Sequence, residues 1–411
     1  MGILIKDKSK FDELKNELTI KSTKEMFKGK EPTLAYHETS KGLYIPRFYT
    51  ESTLSNWRLP LIKHFNFNGE LKPFQRLPTK LTINEINKNK SVILSLPTGA
   101  GKTCIALYIL AKLGRKTLIV VNKQILMEQW IERIKQFFGS DIKIGIIQGA
   151  NKTMGDEPIH IGMLQTLFKF DSNSFDHNFL IVDEVHNIAT NCFSRAFNSI
   201  GAKYQLGLSA TPIRQDGLTK VIRLYMGEIL DNFPVEQGVD RIKIIRLLKH
   251  ENNYDEITLR NGNIHFSKML TKMANDEQRN LLLLSEIFKA IEITGNYILV
   301  LSDRISQLEW FHTRLPNHSL IQAGGKYKKK KLEKTRVLLS TFQYMSEGVD
   351  ISYLNVLVLA TPRSAVVQSI GRIGRDRISN CTIVDVVDKF GYTYGMFNKR
   401  RQNYQNSGYI Y

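Results

Sequence analysis

From residue 91 onward the chain alternates short apolar runs with longer stretches whose apolar positions recur at helical spacing. The runs fall at 91–96, 117–121, 143–148, 160–164, 179–182 and 205–209. They are rich in β-branched residues and apolar on both faces, which predicts strands of a parallel sheet covered by helices on either side. Between the second and third runs, Ile125, Leu126, Gln129, Trp130, Ile134 and Phe137 share one side of a predicted helix. A second series begins near residue 241, with strands expected at 242–248, 297–301, 320–322, 336–339, 355–359 and 382–387. Its helices are expected at 276–293 and 305–314. Two tandem parallel-sheet α/β domains follow, parted near 230–238, where Asp231-Asn232-Phe233-Pro234 and Gly238 break the pattern. Residues 1–69 are mixed in period and dotted with aromatics, and they predict a small N-terminal module. The expected division is 1–69, 70–232 and 233–411.

The turn after the first run reads Leu96-Pro97-Thr98-Gly99-Ala100-Gly101-Lys102-Thr103 and opens onto a helix-like stretch. A strand, a glycine-bearing turn and a helix N-terminus make a phosphate cradle, because backbone N–H groups and the helix dipole converge there. Lys102 is placed to reach the β- and γ-phosphates of ATP, and the Thr103 hydroxyl to ligate Mg²⁺. Leu96 stands where the strict pattern has glycine. Asp183-Glu184-Val185-His186 follows the run at 179–182, so Asp183 can hold the cation through water and Glu184 can orient and deprotonate the attacking water. Ser209-Ala210-Thr211-Pro212 ends the next strand. In the second series come Ser340-Thr341, Glu347-Gly348-Val349-Asp350, and then Gln368-Ser369-Ile370-Gly371-Arg372-Ile373-Gly374-Arg375. Two arginines three apart suit a finger that stabilises charge on a transferred phosphoryl group.

Charge changes the picture more than composition does. The net charge of +19 asks for a polyanionic partner. Residues 1–70 carry 12 basic against 9 acidic groups, 71–232 carry 20 against 13, and 233–411 carry 26 against 17. The excess is spread over both large regions, as a nucleic-acid track across two lobes requires. The cluster Lys326–Lys331 reads as a solvated face. Cys104, Cys192 and Cys381 lack metal-ligand spacing and read as small residues of a reducing compartment. With no apolar run of membrane-spanning length and no leader-like start, a cytoplasmic protein is expected, in a host cell if the source is viral.

Taken in order, residues 97–103, 183–186, 209–212, 341–350 and 368–375 resemble motifs I, II, III, V and VI of the superfamily-2 DExH helicases. Residues 116–122, 161–167 and 297–303 are similar to motifs Ia, Ic and IV. Gly69-Glu70-Leu71-Lys72-Pro73-Phe74-Gln75 and Asp276-Glu277-Gln278-Arg279-Asn280 are similar to elements of the phage branch-migration helicases typified by UvsW, of XPB- and RecG-like proteins, and of poxvirus-type relatives. Ser369 stands where DEAD-box proteins carry arginine.

The resemblance implies two RecA-like domains with ATP in a cleft. Pro97, Thr98, Gly99, Ala100, Gly101, Lys102 and Thr103 would hold the phosphates, with Gln75 on the adenine edge and Gly348 and Asp350 near the nucleotide. Lys102, Asp183, Glu184, Gln368, Arg372 and Arg375 would be catalytic, with Thr103 and Asp183 holding Mg²⁺. His186, Ser209 and Thr211 would couple hydrolysis to movement, and Asn122, Gln165, Thr166, Ser302 and Thr341 would touch nucleic acid. The expected activity is ATP-dependent remodelling of forked or four-way DNA by a monomer, with no membrane role. RNA-directed unwinding or transcript release, a translocase subunit of a nuclease or restriction complex, and an ATP-inactive clamp are the alternatives. Aromatic and basic residues interleave from Lys389 to Tyr411, which fits either a stacking platform for single strands or a helix packed on the second domain.

Overall fold

The apolar runs form two sheets in a computed structural model of the chain, which describes residues 2–21, 31–49, 65–97, 99–152, 155–170, 175–188, 197, 200, 202–214, 216–231, 233, 242–251, 254–315, 317–323, 335–346, 351, 353–364, 366–370, 373, 380–388, 391–406 and 409. The chain divides into two compact units, Met1–Glu236 and Gln237–Tyr411.

The first unit begins with β1 (Ile3–Ile5), α1 (Phe11–Glu17), β2 (Thr19–Ile20), β3 (Thr33–Leu34), β4 (His37–Thr39) and β5 (Gly42–Ile45). β1, β5 and β4 form a small antiparallel sheet, and β2 pairs with β3. After α2 (Pro73–Asn89) the main sheet is built from β6 (Ser91–Ser95), β7 (Thr117–Val121), β8 (Ile144–Gln148), β9 (Asn151–Lys152), β10 (Ile159–Met163), β11 (Phe179–Val182), β12 (Tyr204–Ser209) and β13 (Ile229–Leu230). Their order is β13-β6-β12-β11-β7-β10-β8-β9, parallel throughout except for the edge strand β9. The helices that matter for the site are α3 (Lys102–Leu113), α4 (Gln124–Phe138) and the single turn α5 (Leu164–Leu167). β10 ends one residue earlier than the pattern suggests, since Leu164 opens α5.

Successive strand residues point to opposite faces, and both faces are buried. Val92, Leu94, Ile119, Val121, Ile181 and Leu208 pack with Ile105 and Ile109 of α3 and Trp130 and Ile134 of α4. On the other face, Ile93, Leu118, Val120, Leu180 and Val182 share a core with Phe11, Leu18, Ala35, Leu43 and Ile45. Each Val, Leu, Ile or Phe side chain among them contributes about 1.5–3 kcal/mol by leaving water. The buried Arg47 fastens the N-terminal strands further, donating to the carbonyls of Ala202 and Lys203 at 3.0 Å each.

The second unit holds β14 (Ile242–His250), β15 (Ile298–Ser302), β16 (Ser319–Gln322), β17 (Val337–Thr341), β18 (Val356–Leu359) and β19 (Asn380–Asp388). They form a parallel sheet in the order β14-β19-β18-β15-β17-β16. The helix Glu277–Glu292 starts on an Asp276 cap that accepts the Arg279 N–H at 3.0 Å. Arg279 is fully buried and forks onto Asp388 at 2.9 and 3.1 Å. Arg400 makes a second buried fork onto Asp385, at 2.8 and 2.9 Å, and the Tyr404 hydroxyl donates to the same carboxylate.

That second fork shows how the C-terminal segment divides. Along the helix Gly391–Asn406, Thr393, Met396, Phe397, Arg400 and Tyr404 face inward, whereas Tyr392, Tyr394, Lys399 and Arg401 are exposed. Lys326–Lys331 and Cys192 lie outside the described residues. Among the described residues no helix is long and apolar enough to cross a membrane.

Candidate active site

In a parallel sheet, ligands gather outside the carboxyl ends of the strands. Register aligns those ends here: Ser95 pairs with Ser209, Gly207 with Val182, Val182 with Val120, and Val121 with Met163. The loops after β6, β12, β11, β7 and β10 therefore line one edge in that order. They carry the phosphate turn, Ser209–Pro212, Asp183–His186, Asn122 and Gln165.

Leu96 continues β6, donating its N–H to Ser209 at 3.2 Å, and its side chain lies in the core. The tight turn thus starts at Pro97, whose carbonyl accepts the Ala100 N–H at 3.2 Å, and Leu96 has no need to be glycine. Gly99 and Gly101 do, with φ of +85° and +79° in the left-handed region. A Cβ on Gly101 would also sit 2.2 Å from Nε2 of Gln75. Lys102 opens α3 and bends Nζ back onto the carbonyls of Leu96 (2.9 Å) and Pro97 (3.3 Å). Thr103 follows in the first turn of α3, half-buried. Gln75 is buried in the first turn of α2, donating to Ala100 at 2.9 Å and accepting the Lys72 N–H at 3.0 Å. It fastens α2 to the phosphate turn. Beside it, α2 and α3 border a groove of about 550 Å³ lined by Leu71, Arg76, Thr79, Ile83 and Tyr108.

Asp183 leaves β11 with its N–H on the Val120 carbonyl at 3.0 Å. Its Oδ1 accepts the Glu184 N–H at 3.0 Å, and its Oδ2 accepts the indole N–H of Trp130 at 2.9 Å. Burial, followed by the neighbouring Glu184 carboxylate, pushes Asp183 up to about 6, while Trp130 and Lys102 pull the other way. A divalent cation would relieve that strain, and oxygen donors on Asp183 and Thr103 suit a hard ion. Glu184 has φ of +49°, an uncommon conformation for a residue with a side chain. The glycine-backed turn, the helix N-terminus, the lysine and this carboxylate pair fit a nucleotide triphosphate with its metal.

His186 brings the coupling candidates together. Its Nδ1 lies 3.0 Å from Ser209 Oγ, which also accepts the Thr211 N–H at 3.1 Å, and 3.3 Å from a Glu184 oxygen. Burial, with the nearby Arg214 charge, holds this imidazole down to about 4, so it is neutral at pH 7. Arg214 donates to the His186 carbonyl and pairs with Asp216, whose carboxyl that guanidinium lowers. Arg214 belongs to none of the sequence motifs, although it lies two residues beyond Pro212.

Further along the edge, Gln165 is exposed and donates to the Asn122 carbonyl at 2.9 Å, while the buried Thr166 hydroxyl accepts the Gly149 N–H at 2.9 Å. In the second unit Ser302 and Thr341 are register partners at the ends of β15 and β17. The Ser302 hydroxyl is buried, donating to Gln307 at 2.6 Å and accepting the Arg304 N–H at 2.9 Å, so it faces the protein. Thr341 is half-buried and accepts the Tyr344 N–H at 3.2 Å. Gln368 falls in the short helix Val367–Ile370. Thr98, Gly348, Asp350, Arg372 and Arg375 lie outside the described residues.

Residues 68–214 match the family described as "Type III restriction enzyme, res subunit". A protein of Acanthamoeba polyphaga mimivirus, named as an ATP-dependent RNA helicase, is 32% identical over 397 residues, covering 90% of this chain and 75% of that protein. The chain belongs to the superfamily-2 helicases. This helicase is also 28% identical to the DNA 3'-5' translocase XPB2 of Sulfurisphaera tokodaii, over 86% of this chain and 88% of that one. The crystal structure of T4 UvsW aligns at a TM-score of 0.34 and 19% identity, over 85% of this chain and 78% of the other. As a helicase the protein uses ATP and binds nucleic acid, and its two parallel-sheet units are its tandem RecA-like domains.

Proposed function

We propose that this helicase is a DNA motor that remodels forks and four-way junctions at the expense of ATP, with Mg²⁺ as its cation. The observation that carries the reading is the shared strand-end edge of the first unit, where the phosphate turn, Asp183 and the Asn122–Gln165 pair stand in one row. Lys102 moves from the turn carbonyls to the β- and γ-phosphates, and Thr103 and Asp183 hold the cation. Mg²⁺, when bound, neutralises charge on the phosphates. Glu184 accepts the proton of the attacking water, and Arg372 and Arg375 stabilise charge on the transferred phosphoryl group. Gln75 and the groove along α2 receive the base. Asn122, Gln165 and Thr341 face the nucleic acid, whereas the buried Thr166 hydroxyl, like that of Ser302, is turned into the protein.

A basic excess shared by residues 71–232 and 233–411 supports a substrate with several phosphate arms. Two arms engaged at once raise apparent affinity through effective concentration, and each neutralised phosphate releases counterions. Competition binding at fixed ionic strength tests this: a junction outcompetes a linear duplex of equal length, and the advantage shrinks steeply with salt. Equal affinity for the two overturns the reading. The RNA helicase name of the mimivirus relative favours a second reading, unwinding of RNA or transcript release, which stronger binding to RNA in the same assay would support.

A further inference from the structure

α4 turns one side toward the sheet, and Met127, Trp130 and Ile134 are its buried positions. Trp130 is only 1% exposed and sits among apolar neighbours, so its one polar group, the indole N–H, needs an acceptor inside the protein. It finds Oδ2 of Asp183 at 2.9 Å, across 53 residues of sequence. The other carboxylate oxygen takes the Glu184 N–H at 3.0 Å, and the Asp183 backbone is tied to β7 through Val120. With a donor on each oxygen, the carboxylate plane cannot rotate without breaking a hydrogen bond. A phenylalanine here would keep an aromatic ring in the core, with less volume, and leave Oδ2 unmatched.

We propose that Trp130 is a positioning residue for hydrolysis: its indole N–H fixes the Asp183 carboxylate in the orientation that receives the divalent cation of the bound nucleotide. The inference rests on the assignment of Asp183 to that cation. Partners that orient a metal ligand are commonly worth 10- to 100-fold in metal affinity or activity. Asp183 is thereby held from two elements, β11, from which its own chain emerges, and α4. Among the described residues, Oδ1 takes its hydrogen bond from the adjacent peptide and Oδ2 from Trp130, a donor that comes from outside the turn. Its loss frees the carboxylate about its own side-chain torsions while the backbone stays in register.

The test replaces Trp130 in the full chain in two ways, by phenylalanine and by benzothienylalanine, which keeps the indole shape but puts sulfur in place of N–H. Mn²⁺ binding in the presence of ADP is followed by electron paramagnetic resonance, alongside kcat, KM for ATP and Tm. Both variants are expected to need at least tenfold more Mn²⁺ for half-saturation and to lose kcat with KM nearly unchanged, and the benzothienyl protein keeps the parent Tm. A benzothienyl variant that binds Mn²⁺ and turns over as the parent does overturns the proposal. So does an Ile134→Val control that loses Mn²⁺ affinity equally, since core loosening then accounts for the effect. Asp183→Asn separates the two claims: parent-like Mn²⁺ binding there overturns the cation assignment and the proposal with it, whereas lost binding there beside an unaffected benzothienyl variant overturns the role of Trp130 alone.

Discussion

Ser209 Oγ lies 3.0 Å from Nδ1 of His186 and accepts the Thr211 N–H, so one hydroxyl joins the loops after β11 and β12. The loop after β11 carries Glu184, and β12 lies beside β6 in the sheet. Under the proposed function, a shift on the nucleotide side would reach the next loop through this bond. Ser209→Ala is expected to lower the number of base pairs separated per ATP hydrolysed, more than it lowers hydrolysis itself. Paired ATPase and strand-separation rates measure that ratio, and an unchanged ratio would remove Ser209 from the coupling route.

Lys102 and Glu184 should fail in different ways. Lys102→Ala removes the charge proposed to meet the β- and γ-phosphates and should weaken nucleotide binding as well as turnover. Glu184→Gln keeps ATP binding but cannot accept the water proton, and kcat should fall by about 10²–10⁴. Nucleotide Kd and kcat measured separately check the split, and a Glu184→Gln protein with near-normal turnover would contradict the assignment of the base.

Arg279→Ala should destabilise the second unit by about 3–5 kcal/mol, because it leaves Asp388 buried without its fork. The Arg279 charge holds Asp388 below the usual carboxylate range against the opposing effect of burial. Hydrogen exchange should report lost protection in β14 and β19 with β6 and β11 unchanged. Uniform loss across both sheets would show that the pair does not act locally.

Acid should weaken the first unit through two buried histidines. His177 Nε2 and His160 Nδ1 lie 3.0 Å apart, with side chains 1% and 0% exposed. Burial, then the neighbouring imidazole, holds His177 down to about 3, and burial with Lys116 lowers His160. The unfolded chain takes up these protons near pH 6.5, and the folded chain takes them up only at lower pH. Stability is therefore full above pH 6.5 and falls below it, by up to about 1.4 kcal/mol per pH unit for each proton. Urea midpoints between pH 7 and 4.5 should fall less steeply in His177→Gln, and parallel slopes would assign the acid sensitivity elsewhere.

Strand positions were legible because parallel strands buried on both faces read as continuous apolar runs. The motif order was legible because each chemical turn follows such a run. Side-chain geometry was not. The helical pattern put Trp130 on the apolar side of α4, but nothing in its spacing points to Asp183. Arg279 read as part of a family element, and only the fold shows that it meets Asp388, 109 residues away. At the C-terminus an aromatic and basic run served two readings equally, and the spacing of Phe397, Arg400 and Tyr404 decides it for those three by turning them into the second unit.

In the proposed function, ATP hydrolysis at Lys102 and Glu184 drives remodelling of branched DNA. Dissociation of a synthetic four-way junction, followed beside a linear duplex and an RNA duplex at one ionic strength, tests it most directly. The expected result is ATP-dependent dissociation of the junction in preference to both duplexes, abolished by Lys102→Ala. Preferential separation of the RNA duplex, or junction dissociation that persists in Lys102→Ala, would contradict it.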